Sequence, residues 1–278
     1  PAPRGRSMPA EERRVVVTGL GAVTDLGVGA GALWSGLCES CSGISTITAF
    51  EHDDDWSTII AGEASDFDPE SVMSAPDARK ADRACQFGMS AAVEAAADSG
   101  IDFDSGDPYR RGVAIGSGIG GILTIESQYE RLLQKGPRRL SPFVVPKLMV
   151  NATAGQVSIR LNLRGCNTAV ATACATGGHA LADASMMIQR GMADVMLAGG
   201  CEAAVSKLCI AAFSAMKALS TRNDSPETAS RPFDRDRDGF VLAEGAAVLV
   251  LEELEHAKAR DARIYAELLG FGITGDAH

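Results

Sequence analysis

The 278-residue sequence has no surplus of basic charge: 26 Lys and Arg stand against 36 Asp and Glu, a formal net charge of −10. Nucleic-acid binding draws on clustered Lys and Arg that neutralise phosphates, so general nucleic-acid binding is excluded; a local basic patch remains compatible with an acidic whole. No apolar run suits a membrane. The most apolar stretch, Gly112 to Ile125, falls short of the roughly 18 residues required and is rich in glycine. There is no short repeat, no low-complexity linker, and no basic segment followed by an apolar one of the secretory kind. The seven cysteines are an odd number, and only Cys38 and Cys41 form a C-x-x-C, without the second pair or nearby His of a zinc site. The expectation is a reducing cytoplasm, free and mostly buried thiols, and neither metal nor cofactor.

What is present is a globular composition, 46% hydrophobic and 22% charged, which excludes disorder as the main state. Residues 1–12 read as a tail, with Met8 a candidate natural start. Strands are expected at Arg14–Thr18 (ended by a Gly19-Leu-Gly21 turn), Gly112–Gly116, Thr168–Ala173, Asp194–Ala198 and Phe240–Leu251, with another beginning at Tyr265–Ile273. Helices are expected at Val28–Cys38, Asp82–Ser99, Ile122–Gln134, Asn151–Leu161, Gly178–Arg190, Leu208–Ala218 and Glu252–Arg260. Several strands are apolar throughout and alternate with helices, which predicts an α/β fold whose sheet is covered on both faces.

Three motif matches are misleading. Gly116-Ser-Gly118-Ile-Gly120-Gly121 fits the glycine pattern of a dinucleotide loop, but the acidic residue expected about 20 positions on is missing. Close backbone packing explains these glycines better. Asp234-Arg-Asp236-Arg-Asp238-Gly239 mimics the start of a calcium loop, yet its twelfth position is Gly245 rather than Glu, so a salt-linked turn is expected. His179 follows Cys174 by five residues, about 140° around a helix, and the two do not form a dyad.

The segment Thr168-Ala-Val-Ala-Thr-Ala-Cys174-Ala-Thr-Gly-Gly-His179 carries the chemistry. A strand runs into a turn at Cys174 and a helix follows at once. Unpaired N–H groups and the positive end of the helix dipole favour a thiolate there, the nucleophilic form of the residue. Small neighbours leave room for a carbonyl, and the Cys174 N–H is a candidate oxyanion donor. The arrangement suits acyl transfer through a thioester, with a buried structural cysteine as the alternative.

Six stretches then point to a family: Arg14-VVVTGL-Gly21, Gly116-SGIG-Gly121, Gly136-PRRLSPFVV-Pro146, Thr172-ACATGGH-Ala180, Ala218-LSTRN-Asp224 and Arg231-PFDRDRDGFVLAEG-Ala246. In this order the sequence resembles the β-ketoacyl-acyl carrier protein synthases, thiolase-like condensing enzymes, and most of all their elongating type II class. The resemblance implies a layered α-β-α-β-α architecture, of which residues 13–264 form the first α/β half and 265–278 begin the second. It implies that Cys174 accepts the acyl group, that Ile119 lines the base of the acyl pocket, and that Phe213 forms another wall. Val144 falls where many relatives carry a bulkier aromatic, which implies a roomier pocket. Arg79, Lys80, Arg138, Arg139 and Lys217 match basic positions near the pocket mouth, where an acidic acyl carrier protein docks; on their own they read as ordinary surface charge.

The family's two catalytic histidines, a lysine and a gating phenylalanine belong to its second half. None of the four histidines here replaces them, and His278 falls short of a substrate-contacting His-x-Thr segment. Decarboxylating a malonyl thioester needs donors for an enolate that Cys174 does not supply. The expected activity is therefore 3-oxoacyl-[acyl-carrier-protein] synthesis in fatty-acid elongation, with this chain one portion of the machinery and acyl and malonyl thioesters as substrates. The alternatives are a polyketide or specialised lipid ketosynthase and a non-catalytic chain-length partner. The family also implies a homodimer, for which Asp194–Ala198 and its flanking helices are the candidate interface.

Overall fold

The computed structural model describes residues 13–277, so the tail reading of residues 1–12 and the reading of His278 fall outside the described residues. In chain order the elements are β1 (Val15–Thr24), β2 (Gly27–Val28), α1 (Ala30–Cys38), β3 (Ile44–Thr46), β4 (Ile60–Gly62), α2 (Ala75–Ala78), α3 (Arg83–Ser99), β5 (Arg111–Gly116), α4 (Ile122–Lys135), α5 (Val144–Leu148), α6 (Ala152–Arg160), β6 (Asn167–Thr168), α7 (Thr176–Gln189), β7 (Val195–Glu202), α8 (Lys207–Ala215), β8 (Gly245–Glu253), α9 (Leu254–Ala259) and β9 (Ala266–Glu267). The main sheet has the order β2-β1-β8-β7-β5-β6, with β9 also on β1. β5 runs parallel to β6 and β7, while β8 is antiparallel to both β7 and β1.

Alternation along the central strands builds two cores. Val113, Ile115, Val195 and Leu197 face α3 and α6, where Phe87, Ala91, Ala95, Ala154 and Val157 cover them. Ala114, Met196 and Ala198 face α7, against Ala180, Ala184 and Ile188. Such strands, buried on both faces, explain the unbroken apolar runs in the sequence. Asp82 caps α3 by accepting from the Ala84 N–H, and Gly100 ends that helix with φ 67.

Several expected boundaries are corrected. The Gly19-Leu-Gly21 turn does not form: β1 runs straight through it. A side chain at Gly19 or Gly21 would meet the Ala95 or Ala91 carbonyl of α3 at 2.2 or 1.9 Å, so these glycines serve close packing. The Thr168–Ala173 strand shrinks to β6, because the chain leaves the sheet after Thr168 to make the turn described below. Residues 240–244 also lie outside the strand that follows. There the Gly62 N–H donates to the Leu242 carbonyl and the Glu244 N–H to the Gly62 carbonyl, and β8 starts at Gly245. The strand beginning at Tyr265 is confined to β9. Asp194–Ala198 is no candidate interface. β7 is hydrogen-bonded on both sides, and Val195–Ala198 are fully buried. All seven cysteines are free, yet Cys38, Cys41 and Cys174 are exposed and only Cys85, Cys201 and Cys209 are buried, fewer than expected.

Candidate active site

Cys174 stands where β6 gives way to α7. The Thr172 N–H donates to Thr176 Oγ1 at 2.9 Å and the Ala175 N–H to the Thr172 carbonyl at 3.1 Å, which folds residues 172–176 into a tight bend. Ala173 takes φ 52, a left-handed conformation that costs a non-glycine residue of order 1–3 kcal/mol and is typical of functional turns. A short 3-10 turn, Ala173–Ala175, then leads into α7, whose first turn has no side-chain cap. Cys174 is exposed on this bend, and among the described residues its N–H donates to no hydrogen-bond acceptor. A nucleophile with an adjacent free amide donor at a helix N-terminus can attack a carbonyl and hold the resulting oxyanion.

The glycine-rich loop 116–121 is the second wall. A side chain at Gly116 would reach the Val170 carbonyl at 2.1 Å, and one at Gly118 would reach Ala173 Cα at 3.3 Å, so this loop lies directly on the cysteine bend. Its polar groups are turned inward onto one carboxylate. Glu202 Oε1 accepts from the Ser117 hydroxyl at 2.9 Å, and Oε2 from the Gly118 and Ile119 N–H groups at 2.8 and 3.1 Å. Ser117 Oγ in turn accepts from the Gly120 N–H at 2.8 Å. In a dinucleotide loop such N–H groups bind phosphate; here an internal anion occupies that seat. Burial pushes the Glu202 carboxyl above the usual carboxylate range, against the pull of these donors.

The loop also borders the elements that carry the residues expected around the pocket. Ile119, partly exposed, sits at its centre. Gly121 donates its N–H to the Leu148 carbonyl of α5, the helix that Val144 opens. Phe213 of α8 packs with Ile122 and Leu123, directly after the loop, and stacks edge-on with Phe240, ring centroids 5.5 Å apart. His179 lies one turn into α7 and is half-buried.

Two of the basic residues meet the start of α5. Arg79 and Lys80 follow α2; Lys80 lies 6.0 Å above the Phe143 ring, and Lys147 of α5 donates to the Arg79 carbonyl at 3.4 Å. Arg138 and Arg139, both exposed, precede α5 on a 3-10 turn. Lys217 borders a different groove, of about 890 Å³, with Arg231, Arg237 and Phe240. The Asp234–Asp238 stretch is the salt-linked turn expected: Asp238 bonds Arg231, the Ser220 hydroxyl and the Thr221 N–H.

Glu202, Ser117, Thr176 and Asp82 were not legible as parts of the site. Asp82 is 2% exposed and ties α3 to α4 through the Thr124 N–H and hydroxyl. The available signal was a carboxylate ending a wholly apolar strand, which must find donors once buried.

The description "Beta-ketoacyl synthase, N-terminal domain" matches residues 12–257, and the chain belongs to the β-ketoacyl synthase family. Among its relatives, 3-oxoacyl-[acyl-carrier-protein] synthase 2 of Vibrio cholerae is 51% identical over 267 residues, 96% of this chain and 64% of the relative. The same-named protein of Coxiella burnetii is 50% identical over 96% of this chain and 64% of its own length. The chain thus spans 64% of the length of these curated relatives. A crystal structure of a β-ketoacyl synthase from Burkholderia phymatum superposes with a TM-score of 0.87 at 36% identity, covering 96% of this chain and 65% of that one. A type II polyketide ketosynthase in complex with its acyl-carrier protein and bound to a hexaketide gives 0.84 at 33% identity, covering 94% and 63%. The fold is accordingly thiolase-like. Among the described residues no helix is long and apolar enough to cross a membrane.

Proposed function

We propose that this chain carries the acyl-accepting part of a 3-oxoacyl-[acyl-carrier-protein] synthase of fatty-acid elongation. The observation that supports it most is the exposed Cys174 on its strained bend, amide free, with the glycine-rich loop against it. Cys174 sulfur attacks the acyl carbonyl of an acyl-carrier thioester; a new C–S bond forms, and the carrier leaves as its thiol. Malonyl-carrier protein then loses CO₂, and its carbanion attacks the Cys174 thioester, forming a C–C bond and freeing the cysteine. That second step needs enolate-stabilising donors, which the family keeps in its second half. Ile119, Val144 and Phe213 line the acyl pocket. Arg79, Lys80, Arg138, Arg139 and Lys217 steer an acidic carrier protein, mainly through the rate of encounter. The working form is a cytoplasmic homodimer, residues 13–264 forming its first α/β half and 265–278 opening its second. Identities near 50% to synthases named for the acyl-carrier reaction favour this over a polyketide ketosynthase, matched at 33%.

The test is intact-protein mass spectrometry of the full-length protein after treatment with a fatty-acyl thioester or an epoxide inhibitor of condensing enzymes. One acyl or inhibitor mass, mapped to Cys174, is expected. An unmodified Cys174 sinks the reading, and preference for an aromatic or branched starter moves it to the polyketide class.

A further inference from the structure

We infer that Glu202 is a positioning residue: its carboxylate clamps the glycine-rich loop onto the Cys174 bend, fixes where Ile119 stands, and so sets which acyl chain lengths reach the cysteine. This rests on the acyl-pocket reading of Ile119 given above.

The geometry supports it at each point of the loop. Three donors in a row, the Ser117 hydroxyl and the Gly118 and Ile119 N–H groups, end on the one carboxylate, and Ser117 passes the hold on to Gly120. No Lys or Arg pairs with Glu202 among the described residues, so these neutral donors carry the whole task of satisfying it. The neighbouring side chain on β7 assists. The Cys201 thiol lies 3.8 Å from the Gly116 carbonyl and 3.2 Å from Thr153 Oγ1, holding the start of the loop. Burial pushes this thiol up to about 12, which keeps it protonated and able to donate.

Ile119 makes the clamp consequential. Ile119 is 37% exposed, so packing within this chain does not wedge it in place. Its position follows from its backbone, and its backbone N–H is bound to Glu202. Gly118 transmits the same constraint to the nucleophile. Its Cβ position lies 3.0 Å from Glu202 Oε2 and 3.3 Å from Ala173 Cα, so carboxylate, loop and cysteine bend are stacked without a gap. On the far side Gly120 and Gly121 abut the Leu148 and Lys147 carbonyls of α5, and a loosened loop would shift the wall that Val144 begins as well.

The experiment compares the full-length protein with its Glu202→Gln and Glu202→Ala variants in two readouts. Hydrogen exchange at Gly118 and Ile119 reports the clamp. Loading of Cys174 with a graded series of saturated fatty-acyl thioesters, read by intact mass, reports selection. Losing charge-assisted hydrogen bonds should speed exchange of both amides by about tenfold or more in Glu202→Ala, with a smaller rise in Glu202→Gln. The ratio of long-chain to short-chain loading should flatten by about tenfold, which a purely structural residue would not cause. If wild type loads with a sharp length limit and a folded Glu202→Gln protein keeps both the limit and the exchange rates, the positioning role is wrong while the pocket reading stands. Faster exchange with the limit intact also overturns it. If wild-type Cys174 accepts no acyl chain at all, the pocket reading falls and takes this role with it.

Discussion

The two ends of β7 each present one carboxylate, and the protein treats them in opposite ways. Asp194, just ahead of the strand, is gripped by cations: Arg110 Nε and Nη2 donate at 2.8 and 2.6 Å, and Arg13 bonds the same group. These bonds, Arg110 first, hold its carboxyl well down, to about 2. Glu202, closing the strand, meets only neutral donors among the described residues, and burial raises it. One end of the strand is an ion-paired anchor that ties the N-terminal arm and the start of β5 to the sheet. The other end spends its carboxylate on holding a loop beside an exposed nucleophile. The anchor can be chosen for stability alone; the loop end carries strain at Ala173 and an unused amide, features that stability by itself would remove.

Predictions that break this contrast are ordered by size. Cys174→Ala should abolish acylation outright, read as loss of the acyl mass, while altering stability by less than about 0.5 kcal/mol because the side chain is exposed. Asp194→Asn should do the reverse. Replacing a carboxylate that serves two arginines should cost about 1–3 kcal/mol in urea unfolding and leave acyl loading as it was. Titration of stability should separate the two carboxylates by sign. The Asp194 value is depressed by folding, so its contribution is present above about pH 4 and is lost as pH falls through about 2, a loss that Asp194→Asn should erase from the pH profile. The Glu202 value is raised by folding, so its ionisation weakens the fold as pH climbs through the folded value, and Glu202→Gln should remove that decline. Smallest, Lys258→Ala should change stability by less than about 0.5 kcal/mol, since its 2.8 Å pair with Glu255 is solvent-exposed. A larger effect there would mean that ion pairs as such, rather than the Asp194 anchor, stabilise this protein.

The order of strands and helices was largely legible, because β5 and β7 are apolar apart from Arg111 and Glu202 at their ends and α3 begins and ends on clear cap residues. What was misread shares a cause. Gly19 and Gly21 carry the local marks of a turn, yet the approach of α3, distant in sequence, decides that they lie in a strand. Thr168–Ala173 reads as a full strand, but the Thr172–Thr176 hydrogen bond takes the chain out of the sheet. Within the site, Cys174 announces itself by its small neighbours and the helix that follows. Glu202 does not, because its partners at positions 117–119 are about 85 residues away along the chain.

By itself the sequence determined the alternation of apolar strands with helices, the acidic balance, and a cysteine set between a strand and a helix, since periodicity, charge and local turn chemistry act over short stretches. Only the tertiary structure decided that β7 is central rather than an interface, that the glycine loop is filled by a glutamate rather than a phosphate, and that this loop lies on the cysteine bend. Each of those depends on backbone groups from separate strands meeting at one end of the sheet, where buried N–H groups and carboxylates must satisfy one another across long stretches of chain.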